Sequence, residues 1–350
     1  MTPKLRAVMS TLPAYVPGRK VPGAAILASN ESPYGLLPSV AAVLADYVNG
    51  VSRYPDMTST ALIEAIAAHH DVEPGRVAVG AGSVEVCMQL ASAVIEDGDE
   101  VIFGWRAFEA YPIITAVAGG TAVKVPLTPE AVHDVDAMVA AVTGRTRLVF
   151  LCNPNNPTGT VVGRDELLRL ADGVRDDVLL MIDEAYREYV DPQRAPDAFA
   201  LLGDRPNVVV TRTFSKAYAL AGLRVGYCLA APDVAGAARK CQVPFSVSGL
   251  AQQAAMAALG EQEEVARRAK LTVAERERVR AALLDAGYDV PASEANFVWL
   301  RVGERTTGFA EACLGGGVVV RPFAGEGVRV TIGTDDENDR FLAVARAFGQ

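Results

Sequence analysis

Short, almost uninterrupted apolar runs alternate with longer amphipathic stretches along the first two thirds of the chain, and this alternation limits the possible folds most strongly. Arg76–Gly80, Glu100–Phe103, Thr121–Val125, Leu148–Cys152, Val178–Ile182 and Val208–Thr211 read as strands. Between them, Val84–Ile95, Glu109–Ala118, Val135–Val142 and Asp165–Ala171 carry helical periodicity. A strand that is apolar on both faces has to be covered on both faces, and helices between successive strands supply the cover. The expected fold class is α/β, with a large, mostly parallel sheet between helices.

The alternation stops near Gly249. Leu250–Leu259 and the charged stretch Glu261–Ala286 read as helices, and Phe297–Arg301, Val318–Arg321 and Val328–Ile332 as strands before a last helix over Asp336–Phe348. The expected organisation is a proline-rich arm over 1–30, a large domain over 31–249 and a smaller α+β domain over 250–350.

Composition removes several classes of function. The 350 residues are 50% hydrophobic and 21% charged without a low-complexity tract, which suits a large core and not a disordered chain. A net charge of -9 argues against nucleic acid or an anionic membrane as the main partner. A small anion in a locally basic cleft stays possible. No apolar run reaches the roughly 18 residues of a membrane span, and no signal-peptide core is present, so a cytoplasmic protein is expected. Cys87, Cys152, Cys228, Cys241 and Cys313 are odd in number and widely spaced, as reduced thiols would be. His69, His70 and His133 do not group with cysteines or carboxylates at ligand spacing, so no metal site is expected.

The chemistry sits at strand ends. In Thr211–Gly226 (TRTFSKAYALAGLRVG), Lys216 follows a strand and a Thr-Phe-Ser turn. A lysine amine that loses its proton through desolvation and nearby cations can form a Schiff base with an aldehyde. Ser215 and Arg224 would then offer a hydroxyl and a guanidinium to a phosphate beside it. Taken alone, Lys216 reads more readily as a surface lysine near a helix start, and the spacing and the other motifs reverse that preference. In Cys152–Gly159 (CNPNNPTG) two prolines and a glycine force a turn at the end of an apolar strand, where Asn156 offers an amide to a ligand.

Asp183 ends the wholly apolar run Val178–Ile182, and a buried carboxylate is costly unless paired. A pyridinium nitrogen would be such a partner; a helix cap is the plainer alternative. Tyr186 lies three residues on, with its hydroxyl suited to a ring oxygen. Val77–Val86 (VAVGAGSVEV) reads as strand, glycine turn and helix start, so that Ser83 and Val84 could bind phosphate through backbone N–H groups. Phe108 could stack on a planar ring, or belong to the core.

These segments, with Leu27–Gly35 (LASNESPYG), Arg53–Asp56 (RYPD) and Val328–Gly333 (VRVTIG), occur in the order found in a known family. The chain resembles the fold-type-I pyridoxal-phosphate aminotransferases, in the histidinol-phosphate aminotransferase subfamily, over nearly its whole length. The resemblance implies a seven-stranded sheet and pyridoxal 5'-phosphate as a Schiff base on Lys216, which also carries the proton to and from the substrate's α-carbon. It implies Asn156 and Tyr186 at the ring oxygen, Asp183 at the ring nitrogen, and Ser83, Val84, Thr213, Ser215 and Arg224 around the phosphate. Tyr54 would reach that phosphate from the other subunit of a homodimer. Arg329 would take the substrate carboxylate as a bidentate partner, while Tyr15, Asn30 and Arg321 line the substrate side. Two departures stand out: Ala219 where the family usually has glycine, expected to be a mild packing change, and Val84 in place of a frequent aspartate.

Within the subfamily, Leu12–Gly18, Trp105–Pro112 and Val243–Ser248 look closest to actinobacterial aromatic aminotransferases. The expected reaction moves an amino group between phenylalanine, tyrosine or tryptophan and 2-oxoglutarate, with Phe245, Trp105, Tyr15 and Arg321 forming the side-chain pocket. Histidinol-phosphate transamination is the alternative within the subfamily, and decarboxylation of an amino acid phosphate is possible on the same scaffold. A regulatory binder of the cofactor is disfavoured, since the chain shows no added basic DNA-binding segment and keeps Lys216, Asp183 and Arg224.

Overall fold

The apolar runs become a single buried sheet, and the order of its strands decides where the polar residues meet. A computed structural model describes residues 3–10, 12 and 21–349. Along the chain, β1 (Ala25–Ile26) leads to helices α1 (Pro38–Tyr47) and α2 (Thr60–His69), for which the sequence pattern gave no expectation. The alternation follows: β2 (Val77–Gly80), α3 (Ser83–Val94), β3 (Glu100–Trp105), α4 (Ala110–Ala118), β4 (Thr121–Pro126), α5 (Val135–Ala140) and β5 (Thr146–Cys152). It continues through α6 (Arg164–Gly173), β6 (Leu179–Asp183), α7 (Ala198–Leu202), β7 (Val208–Thr213), β8 (Gly226–Leu229) and α8 (Pro232–Lys240). Next come α9 (Gly249–Leu259), α10 (Gln262–Asp285), β9 (Phe297–Leu300), α11 (Thr306–Gly315), β10 (Val318–Val319), β11 (Arg321–Phe323), β12 (Gly327–Thr331) and α12 (Asp335–Gly349).

The seven-stranded sheet has the order β2-β8-β7-β6-β5-β3-β4. All neighbours pair in parallel except β8, which is antiparallel to both β7 and β2. Strand β8, Gly-Tyr-Cys-Leu, was not expected from the sequence: four residues following a glycine-rich turn are too few to show a period. Alternation along β5 sends Leu148, Phe150 and Cys152 into one apolar layer, with residues of α3, α4 and α8. Val149 and Leu151 enter the opposite layer, under α5, α6 and α7. This is the two-sided cover that runs of apolar strands demand.

Helix α9 packs against α1 and α2, with Ala251, Ala254, Ala255 and Ala258 in one cluster beside Leu62 and Ile66. A separate cluster joins the later part of α10 to the three-stranded sheet β11-β12-β9, α11 and α12, and takes in Ala25 and Leu27. Among the described residues no helix is long and apolar enough to cross a membrane.

One buried ion network ties the ends of β6 and β7 to α7. Arg212, on the face of β7 opposite Thr211 and Thr213, donates from Nη2 to Glu184 Oε2 at 2.7 Å and to Asp197 Oδ2 at 2.6 Å. Glu184 also accepts from the Ala198 amide at 3.0 Å. Removing one partner of such a group leaves an uncompensated buried charge. Arg212→Met is therefore expected to cost about 3–5 kcal/mol, read as a lowered urea midpoint for the loss of far-ultraviolet circular dichroism. A midpoint within error of the parent would refute this account.

Candidate active site

The carboxyl ends of β5, β6 and β7 are adjacent in register, Cys152 opposite Asp183 and Asp183 opposite Thr211, so the turns that follow open on one spot. Ligands bind at such strand ends in open α/β sheets. A cleft of about 670 Å³ lies there, lined by Asn30, Ser83, Val84, Phe108, Asn156, Asp183, Tyr186, Thr213, Ser215, Lys216, Arg224, Arg321 and Arg329. Most of the residues singled out in the sequence thus converge.

Two do not. Tyr54 is 84% exposed and stacks on Phe245 at 4.7 Å between ring centroids, away from the cleft. Tyr15 lies outside the described residues. The cleft also excludes Trp105 and Phe245, the expected side-chain aromatics. Trp105 is covered by Arg106 and Lys124, 4.4 and 4.2 Å from its ring centroid. Its apolar wall comes instead from Met88, Phe108, Ile113 and Ile114.

Asp183 is 3% exposed and accepts from the Tyr111 hydroxyl at 3.0 Å and the Thr211 hydroxyl at 3.2 Å. Burial pushes its carboxyl above the ordinary range, against the pull of those two hydroxyls. Among the described residues it has no ion-pair partner, so a cationic ligand atom would complete it. The sequence reading missed Tyr111 and Thr211. Both leave a trace: Tyr111 follows Phe108 by three residues, one helical step, and Thr211 precedes Thr213 by two, the strand period.

Lys216 Nζ donates to the Ser29 carbonyl at 3.0 Å and lies 6.0 Å from the centre of the Tyr186 ring. Burial, helped by the charges of Arg329 and Arg224, pushes its amine down to about 7. The Tyr186 hydroxyl accepts from Asn30 Nδ2 at 2.9 Å, which leaves its own hydrogen to donate. Burial pushes that hydroxyl upward, so it stays protonated. Arg329 Nη1 donates to Asn156 Oδ1 at 2.5 Å and Nη2 to the Ala28 carbonyl at 2.6 Å. With its oxygen so occupied, Asn156 presents its amide hydrogens elsewhere.

The third part is an anion cup. Helix α3 begins at Ser83, and Gly82 before it has φ +83°. A Cβ on Gly82 would push the Arg224 guanidinium aside and would sit at a strained φ, so glycine suits this turn between the helix end and that cation. Arg224 Nη1 donates to Ser215 Oγ at 3.2 Å, and Thr213 Oγ1 lies 3.0 Å from the same oxygen. Backbone N–H groups, hydroxyls and a guanidinium around one volume are the donor set of a phosphate site. Nearby, Ala219 has φ +59°, so its difference from the family's usual glycine lies in the backbone and not in packing.

A lysine with a depressed amine, a buried acid short of a cation and an anion cup, all at the edge of a parallel sheet, define an enzyme of the fold-type-I class. The chain belongs to the aminotransferase class I and II family, whose model matches residues 24–344. It is 55% identical to the aromatic amino acid aminotransferase of Thermobifida fusca, over 99% of this chain and 97% of that one. It is 54% identical to the aromatic amino acid aminotransferase of Streptomyces avermitilis, over 99% and 98%. Its fold matches the crystal structure of histidinol-phosphate aminotransferase from Sinorhizobium meliloti in complex with pyridoxal-5'-phosphate, with a TM-score of 0.90 at 30% identity over 99% of both chains.

The depressed amine has a signed consequence. Below pH about 7 Lys216 is charged and unreactive, and above it the lone pair is free. In cofactor-free protein, capture of a small aldehyde at Lys216, trapped by borohydride and located by peptide mass, is expected to rise through pH about 7 and then level off. A rise centred near the ordinary lysine value would remove the role given to burial.

Proposed function

We propose that this chain is an aromatic amino acid aminotransferase that binds pyridoxal 5'-phosphate at Lys216 and moves an amino group between phenylalanine, tyrosine or tryptophan and 2-oxoglutarate. The observation that carries the substrate class is the cleft wall: Met88, Phe108, Ile113 and Ile114 share one cleft with Lys216 and Arg329. The names of the relatives in Thermobifida and Streptomyces agree with it.

The residues fit the cofactor. Ser83, Val84, Thr213, Ser215 and Arg224 would hold its phosphate, Asp183 its ring nitrogen, and Asn156 and Tyr186 its ring oxygen, with Phe108 beside the ring. Bound there, its protonated ring acts as an electron sink for the substrate's α-carbon. Asp183 keeps the proton on the ring nitrogen, and Lys216 takes and returns the proton at the α-carbon. Arg329 binds the substrate's carboxylate and, through Asn156, keeps the amide turned toward the ring oxygen.

Tyr54 supports a homodimer: an 84% exposed tyrosine near exposed Val48, Val51 and Met57 suits delivery to the phosphate of a partner subunit. The working division is an arm over 1–30, a cofactor domain over 31–249 and a smaller domain over 250–350, in the cytoplasm.

Histidinol-phosphate transamination is the second reading, favoured by the structural likeness to the Sinorhizobium meliloti protein. Steady-state kcat/KM with phenylalanine and with histidinol phosphate decides between them, and a large preference for the phosphate would overturn the aromatic reading. Lys216→Ala is expected to abolish turnover and the absorbance of the lysine-bound cofactor. Arg329→Lys, which loses the planar fork, should lower kcat/KM for phenylalanine by roughly a hundredfold, the scale of a lost buried charge-assisted contact.

A further inference from the structure

Arg321 and Arg329 are direct cross-strand partners on β11 and β12, and both line the cleft. Like charges placed so are destabilising unless something neutralises one of them. Glu109 does this: Arg321 Nη2 donates to Glu109 Oε2 at 2.7 Å, with both side chains largely shielded from water. Glu109 immediately precedes α4, where the helix dipole favours a carboxylate. The β11–β12 hairpin does not rely on this contact for its place. Arg106 Nε donates to Glu326 Oε2 at 3.0 Å, and Phe323 lies 5.4 and 5.7 Å from the guanidinium carbons of Arg106 and Arg321.

We propose that Glu109 is a specificity-determining residue, a built-in counter-ion that occupies Arg321 and competes with the second carboxylate of a dicarboxylic substrate. The inference rests on the reading of Arg329 as the site of the substrate's α-carboxylate. With Glu109 on Arg321, the far end of the cleft is charge-compensated and accepts an uncharged aromatic side chain. A dicarboxylate has to displace Glu109 first, so its apparent affinity is lowered by the fraction of Arg321 already engaged. A phosphate dianion meets the same competitor together with the repulsion of Glu109.

The test uses the holoenzyme and two unreactive probes, glutarate and 3-phenylpropionate, with dissociation constants from calorimetric titration. Glu109→Gln is expected to tighten glutarate about fivefold relative to 3-phenylpropionate, the effect of removing a competing carboxylate that is in place most of the time. The kcat/KM for 2-oxoglutarate relative to phenylpyruvate should rise in parallel. Glu109→Asp, which keeps the charge, should stay near the parent ratio. In an Arg321→Gln background the gain from Glu109→Gln should vanish. An unchanged ratio, weaker glutarate binding, or a gain that persists without Arg321 would each overturn the proposal. A parent enzyme that fails to transaminate phenylalanine would sink the underlying reading instead, whereas normal phenylalanine turnover with an unchanged ratio would sink the counter-ion role alone.

Discussion

Asp183 ends a strand of five buried residues, and its carboxylate is held only by the hydroxyls of Tyr111 and Thr211 and by backbone. Two neutral hydrogen bonds do not offset the loss of water around a full charge. The arrangement suits one half of an ion pair whose other half arrives with a ligand. The rest of the cleft is disposed around that need: Tyr111, itself stacked at 4.4 Å on Phe150 of β5, and Thr211 fix the carboxylate's direction. Lys216 and the anion cup then set where the other parts of the same ligand must lie. The contrast with Glu184, the next residue, is instructive. Glu184 is equally buried but has Arg212 permanently beside it, so it serves the fold and has nothing to offer a ligand.

The parallel core was readable because its signal is local: apolar runs of strand length between helical periods leave few alternatives. Asp183 was readable for the opposite reason, since it ends an apolar strand with a charge that burial makes expensive, whereas Lys216 was readable only through the segments around it. What escaped was set by tertiary neighbours. Strand β8 is too short for a pattern and gets its place from pairing between β7 and β2. Trp105 and Phe245 look like pocket aromatics in sequence, yet cation stacking and the Tyr54 ring hold them elsewhere. The Ala219 difference looked like packing, because a sequence does not print φ. Glu109 gave no signal at all, because its significance depends on an arginine more than two hundred residues away.

On the proposed reading, the end of the cleft at Arg321 and Arg329 is a matter of balance between charges and not of shape alone. Arg329 donates to Asn156 and to the Ala28 carbonyl, and Arg321 donates to Glu109. Between them the apolar side chains contribute discrimination of only ~1–3 kcal/mol by contact.

The position of β8 between β7 and β2 also dictates an order of events. The anion cup takes its helix end from the segment after β2 and its guanidinium from the residue two before β8, so the earliest and latest strands of the sheet build one feature. During synthesis, a chain that has emerged only as far as β7 has the glycine turn but no Arg224 to face it. A phosphate-bearing ligand would therefore meet its full set of donors only once the sheet is complete.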